Sequence, residues 1–305
     1  MRILNLGSIN CDHVYEVDHF VRPGETLTGV SYRRYAGGKG FNQSVALSRA
    51  GARVLHAGRV GRDGQWLVQR LREEGVDTAH IRIGEAPTGH AVIQVVPSGD
   101  NAIVLYPGAN REIGMEDVVR AVASMPEGGW FLTQNETSCV LPGIEEAKKK
   151  GLRVAWNPAP MTADAKDAPL ARVDILILNE IEAQDLCGQS DPRRACAELV
   201  RRHPGLAVVV TAGEHGAAYG DRERFIEQPA EKVSAVDTTA AGDTFVGFFL
   251  AEVMRSGDPG RALLCGCRAA AVCVTRRGAS DSIPTREEVE RGEGMFPEGG
   301  RDGHA

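Results

Sequence analysis

Short apolar runs recur along this chain at residues 3–9, 54–60, 130–133, 152–156, 173–178 and 206–210, bounded by turn residues and sized like buried strands. Between them, residues 65–74, 115–125, 144–150 and 192–203 place apolar side chains at helical spacing, and several of these stretches stop at a glycine. Strands that are apolar along their whole length, alternating with helices, predict an α/β fold: a mostly parallel sheet with helices on both faces. In an open sheet of this kind ligands gather beyond the carboxyl ends of the strands. The residues expected at that rim are Asn10 and Asp12, Gln134 to Glu136, Asn157, Asn179 and Thr211.

Two stretches break the rhythm. Residues 13–35 read as irregular strands around Arg22-Pro23-Gly24, and residues 90–106 read as a hairpin turning through Pro97-Ser98-Gly99-Asp100-Asn101. Neither belongs in a parallel core, so together they are expected to form a small β-sheet lid over one edge. Val92, Val95, Ile103 and Leu105 read as one apolar face of that layer. Packing two lids together would cover it, which predicts a homodimer. The boundaries expected are one large domain over residues 1–290 and a disordered tail over 291–305, where Gly and charge dominate.

The 305 residues are 42% apolar and 25% charged, enough for a substantial core. The net charge of -6 arises from interspersed signs, which excludes nucleic acid as the main partner, since phosphate backbones call for clustered Lys and Arg. Seven cysteines without a C-x-x-C pair read as free core thiols and predict a reducing, cytoplasmic location. The first residues run straight into a strand pattern with no leader-like segment, and no apolar run is long enough to span a bilayer.

Four motifs carry chemistry, each with a plainer reading beside it. Ala36-Gly37-Gly38-Lys39-Gly40-Phe41-Asn42-Gln43 leads into a helix over 44–50, where glycines admit a ligand to unpaired helix-start amides, or simply make a tight turn. It is not a Walker A loop, because Gly40 follows Lys39 where Ser or Thr is needed. Asp237-Thr238-Thr239-Ala240-Ala241-Gly242-Asp243-Thr244-Phe245 enters an apolar helix over 246–254. Its small residues can form an anion hole, with Asp243 in the first helical turn either as a base or as a dipole partner only. Asn179 and Glu182 have the spacing of a capping box, compatible with a carboxylate that organises waters around Mg²⁺. Thr211-Ala212-Gly213-Glu214-His215-Gly216 is a glycine-punctuated loop that can pass beneath a nucleotide, with His215 reading as an exposed loop residue.

Taken in order, from Asn5-Leu6-Gly7-Ser8-Ile9-Asn10-Cys11-Asp12 to Gly278-Ala279-Ser280-Asp281-Ser282-Ile283-Pro284, these segments resemble the ribokinase branch of the phosphofructokinase-B carbohydrate kinase family. The resemblance implies ATP-dependent phosphorylation of the primary hydroxyl of a furanose sugar, with D-ribose leading and deoxyribose, fructose or a nucleoside as rivals. A catalytically idle sugar-binding regulator is the reading from another class. The resemblance further implies that Asn10, Asp12, Gly38, Lys39, Asn42 and Glu136 hold the sugar, with Asp243 as base and Ala240, Ala241 and Gly242 as anion hole. Asn179, Thr211, Gly213, Glu214, Gly216, Gly242 and Cys267 would serve ATP, and Glu182 would hold Mg²⁺ through water. Asp237, Thr239, Cys273, Arg276, Gly278 and Ser282 fall where the family binds activating K⁺. Phe41 and Cys267 depart from the family's usual residues, the first beside the sugar and the second beside the adenine.

Overall fold

A computed structural model describes residues 1–166 and 168–292. The strands are β1 (Arg2–Leu6), β2 (Asn10–Glu16), β3 (Ser31–Gly37), β4 (Arg53–Gly61), β5 (Asp77–Gly84), β6 (Gly89–Val95), β7 (Asn101–Tyr106), β8 (Trp130–Gln134), β9 (Arg153–Asn157), β10 (Ile175–Asn179), β11 (Ala207–Thr211), β12 (Ala217–Gly220) and β13 (Phe225–Gln228). The helices are α1 (Lys39–Arg49), α2 (Gln65–Glu73), α3 (Met115–Ala123), α4 (Val140–Lys149), α5 (Ala163–Lys166), α6 (Glu180–Cys187), α7 (Pro192–Arg202), α8 (Ala241–Ser256), α9 (Pro259–Val274) and α10 (Arg286–Arg291).

Nine strands form the main sheet in the order β13-β12-β11-β10-β9-β8-β1-β4-β5, parallel from β11 to β5 with an antiparallel edge at β12 and β13. Alternation within each strand divides the core in two. Ile3, Leu132, Ile177 and Val209 point to the layer of α1, α2, α8 and α9, whereas Leu4, Phe131, Leu176 and Val210 point to that of α3, α4, α6 and α7. Helix α8 is apolar nearly all round because it lies between the sheet and its neighbours. Phe248 and Phe249 are fully buried there, each worth about 2–3 kcal/mol by area. Asp258 caps α9 by accepting from the Gly260 and Arg261 amides, and Pro259 sits at its first position. All seven cysteines are unpaired, and five of them are buried.

The apolar run at 3–9 is not one strand. Strand β1 ends at Leu6, and the chain turns through Gly7 to begin β2 in a second sheet, so Asn10 and Asp12 sit on that smaller sheet and not at the rim of the larger one. The second sheet has the order β3-β2-β6-β7 and gathers the two segments that the parallel core excludes. Its register corrects the expectation of a single apolar face. Val92 opposes Val104, while Ile93 opposes Ile103 and Ala91 opposes Leu105, so Val92 faces away from Val95, Ile103 and Leu105. Both faces carry exposed apolar side chains, and the Val92 face adds stacked His13 and Tyr32. Two further expectations are extended: β5 and the β12–β13 edge join the main sheet. Of the expected tail, only Arg291 and Gly292 lie within the described residues, at the end of α10; the rest falls outside them.

Candidate active site

At the carboxyl ends of the central strands lies a cleft of about 230 Å³, whose lining includes Lys39, Asn157, Asn179, Glu182, Thr211 and Asp243. Two helices begin at it. Helix α1 starts after Gly38, whose φ of 90° is a backbone conformation that favours glycine. Glu136 sits on that helix start: its Oε2 accepts from the Lys39 amide at 3.1 Å and from Ser8 Oγ at 2.5 Å, as an acid does at a positive helix end. Helix α8 starts after Ala240, an alanine held at φ 61°, which costs on the order of 1 kcal/mol for a residue with a Cβ. The Ala241 amide donates to Thr238 and the Thr244 amide to Ala240, leaving the Gly242 and Asp243 amides without a backbone acceptor among the described residues. This strained start presents two free N–H groups at the cleft.

Asp243, in the first turn of α8, is 8% exposed. Its Oδ2 accepts from Asn42 Nδ2 at 3.0 Å and its Oδ1 from Gln43 Nε2 at 2.9 Å. Burial holds its pKa above the ordinary carboxylate value, opposed by the Lys39 ammonium, and Asp243 in turn is the main group raising the Lys39 pKa. The Oδ1 of Asn42 is buried with no hydrogen-bond partner among the described residues, a ready acceptor for a ligand hydroxyl. Asn179 caps α6: its Oδ1 accepts from the Glu182 amide at 2.8 Å, and Glu182 Oε2 accepts from the Asn179 amide at 2.9 Å. The capping box is therefore present, at the cleft rather than away from it. Burial raises the Glu182 pKa as well.

Around the small sheet's root, Asn10 Oδ1 accepts from Asn110 Nδ2 at 2.7 Å. Burial, with Glu136 adding a second negative charge, pushes the Asp12 pKa from 3.8 to about 7. A carboxyl held protonated by the fold keeps its proton where the unfolded chain has lost it, so stability falls as pH rises from about 4 to about 7, and the full penalty persists above that window. Asp12→Asn is expected to raise Tm by about 2–4 °C near pH 8 and by little near pH 4. Thermal melts at the two pH values check this, and an equal shift at both removes the Asp12 charge as the cause.

The residues expected at the cation loop also meet. Asp237 accepts from the Thr239 amide at 2.9 Å and the Gly278 amide at 3.0 Å. Cys273 Sγ lies 3.1 Å from Ser282 Oγ, and the Arg276 amide donates to the Cys273 carbonyl. Cys267 is buried on α9, its Sγ 4.0 Å from the Gln228 carbonyl, and like Gly213, Glu214 and Gly216 it is not among the residues that line the cleft. Gly213 and Glu214 form a short 3-10 turn after Thr211, followed by Gly216. Asn110 escaped the sequence reading because a single Asn after a Pro-Gly turn carries no pattern of its own. Gln43 and Asn157 were visible in the glycine motif and at the rim but had no assigned partner. Among the described residues no three His, Cys, Asp or Glu side chains gather as a direct metal site.

A covered parallel sheet whose carboxyl rim sets free helix-start amides beside a buried carboxylate defines an α/β enzyme built for a small anionic ligand. The sequence matches the model of pfkB family carbohydrate kinases over residues 2–286, and the chain belongs to that family as an ATP-dependent carbohydrate kinase. It is 40% identical over 295 residues to the ribokinase of Haemophilus influenzae, covering 93% of this chain and 95% of the relative. It is 31% identical over 297 residues to a deoxyribokinase of Salmonella typhi, covering 94% and 97%. The structure of Arabidopsis thaliana ribokinase complexed with ribose and ATP is similar at a TM-score of 0.84 and 29% identity, covering 95% of this chain and 97% of that one.

Proposed function

We propose that this kinase transfers the γ-phosphoryl group of ATP to the primary 5-hydroxyl of D-ribose. The observation that carries the reading is Asp243, a buried carboxylate in a helix's first turn, beside two amides that lack backbone acceptors among the described residues. Asp243 takes the hydroxyl proton, while the Gly242 and Asp243 amides, with the turn at Ala240 and Ala241, receive charge on the moving group. Phosphoryl transfer asks for little more than such alignment and neutralisation. Asn10, Asp12, Gly38, Lys39, Asn42 and Glu136 hold the sugar, and the unpartnered Asn42 Oδ1 supports a hydroxyl partner there. The nucleotide lies along Asn179, Thr211 and the Gly213–Gly216 turn, with Cys267 at its adenine end.

Glu182 spends one carboxylate oxygen on its cap and leaves the other without a partner among the described residues, which suits an ion held through water. A Mg²⁺ arriving with ATP would supply charge neutralisation on the phosphates. The Asp237 and Ser282 loops would hold K⁺ beside the anion-hole turn and order its backbone. Unpaired thiols support a cytoplasmic location, and no helix among the described residues is long and apolar enough to cross a membrane.

An ADP-release assay over ribose, 2-deoxyribose, fructose and nucleosides tests the acceptor. Ribose is expected to give the highest kcat/KM, because polar groups built for a hydroxyl are left unpaired without it. A win of about tenfold or more for 2-deoxyribose, fructose or adenosine overturns ribose as the substrate. Run in sodium at fixed ionic strength, the same assay should show a lower kcat than in potassium; equal rates remove the ion.

The small sheet acts as the lid, and two lids pair in a homodimer. Ile103, Val104 and Leu105 are 56%, 71% and 50% exposed, an edge strand that a monomer leaves wet. Light scattering at micromolar concentration should give a dimer that Ile103→Glu dissociates; a monomeric parent protein sinks the assembly.

A further inference from the structure

Asp243 is held by more than its sugar-side neighbour. Gln43, on the next residue of α1 after Asn42, is fully buried and makes three side-chain hydrogen bonds. Its Nε2 donates to Asp243 Oδ1 at 2.9 Å and to Asn157 Oδ1 at 3.0 Å, and its Oε1 accepts from Gln134 Nε2 at 2.7 Å. Each of these neighbours is itself oriented. Asn157 Nδ2 donates to the Ile177 carbonyl at 2.9 Å, which fixes its oxygen toward Gln43. Gln134 Nε2 donates also to Asn5 Oδ1 at 2.9 Å, and Asn5 Nδ2 donates to the Gly40 carbonyl at 2.8 Å and to Ser44 Oγ at 2.9 Å. Ser44 Oγ lies 2.8 Å from His56 Nδ1, and His56 Nε2 lies 3.2 Å from the Gly7 carbonyl. That completes a polar chain drawn from α1, β1, β4, β8 and β9, with every member buried.

The polarity of this chain leaves Gln43 one orientation. Turned over, its carbonyl would face the Asp243 carboxylate and the Asn157 oxygen, and its amino group would face that of Gln134. Two buried acceptor pairs and a buried donor pair would then stand unmet, each costing about 1–3 kcal/mol. An amide that cannot turn is a fixed dipole, and a fixed dipole needs no reorganisation when charge on its partner changes. Asn42 has no such framework, because its own Oδ1 meets no hydrogen-bond partner among the described residues.

We propose that Gln43 is the positioning residue for Asp243, holding the carboxylate plane and donating to Oδ1, so that the base meets the acceptor hydroxyl in a single orientation. The inference rests on the reading of Asp243 as the base. The groups around that carboxylate are Asn42 and Lys39 on α1, Glu136 after β8, Glu182 on α6 and Cys273 on α9. None of the four titratable ones among them occupies the place of Gln43 on Oδ1.

Two variants test it in the full-length enzyme. Gln43→Leu keeps the volume and removes the donor, and is expected to lower kcat about tenfold to a hundredfold while sugar KM changes by less than about threefold. Gln43→Glu keeps the acceptor for Gln134 but places a second carboxylate against Oδ1, so the acid limb of kcat against pH should move to higher pH. A merely packing role would not move that limb. Each variant is also combined with Asp243→Asn, where loss of the base should make the Gln43 change nearly silent in kcat. If Asp243→Asn is inactive and both Gln43 variants keep the parent kcat and pH limb, the positioning role is wrong and the base stands. If Asp243→Asn is itself active, the base reading falls, and the Gln43 inference with it. Should Gln43→Leu fail to fold, the pH limb of Gln43→Glu decides alone.

Discussion

Asp243→Asn is expected to lower kcat by roughly two to four orders of magnitude while the fold and ATP binding persist, the usual range when a general base is lost. The fold should persist because Asn keeps the volume and relieves the burial of a charge. One of the two amide donors from Asn42 and Gln43 would lose its acceptor, which opposes that gain. The rate should fall because the Asn amide cannot take the hydroxyl proton. In the parent enzyme burial raises the Asp243 pKa, so the base is protonated, and kcat declines, at a higher pH than an exposed carboxylate would impose. The acid limb should therefore lie above the ordinary carboxylate range and vanish in Asp243→Asn. Coupled ADP release, calorimetric ATP binding and a thermal melt on one preparation check all three parts. Near-parental turnover in a folded variant would remove Asp243 as the base.

What was legible in the sequence follows from what each residue must do alone. The central strands β8 to β11 are buried on both faces and read as continuous apolar runs. Strand β5 lies at an edge, its half-buried His80 and exposed Arg82 and Ile83 alternating with little regularity, and gives no such run. Ile9 is buried like Ile3, so the two read as one apolar run, but Ile9 belongs to the turn that carries the chain into the smaller sheet. Asp243 and the glycine motif were legible because helix-start chemistry leaves a local signature of small residues and an acid. The network behind them was not. Gln43 meets Asp243 across 200 positions and Gln134 across 91, and one Asn or Gln is an ordinary surface residue until the fold buries it. Cys267 carries no local signature either: it is one buried thiol in the apolar run of α9, and only the resemblance puts it beside the adenine.

Gly40→Ala should be a severely damaging change for a single methyl group. Helix α1 crosses the turn after β1 so closely that a Cβ at Gly40 would stand 2.4 Å from the Ser8 nitrogen and 2.5 Å from both the Cα and the carbonyl carbon of Gly7. Those are backbone atoms, which cannot swing aside as a side-chain tip would, so the helix start must lift off the strand. Overpacking of this kind costs about 1–3 kcal/mol or more. The displaced segment carries Lys39, Asn42 and Gln43 together, so the sugar contacts and the support of Asp243 move as one. A shift of about 1 Å at reacting groups costs on the order of a hundredfold in rate. The expected result is a Tm lower by several degrees together with a kcat/KM reduced about a hundredfold at 25 °C, well below the melt. Gly205→Ala is the matched control, since a Cβ there meets nothing within 4 Å, and it should leave both quantities nearly unchanged. Loss of stability in Gly40→Ala without loss of kcat/KM would show that the helix start can move without carrying its side chains away from the cleft, and would separate the packing of α1 from its role in catalysis.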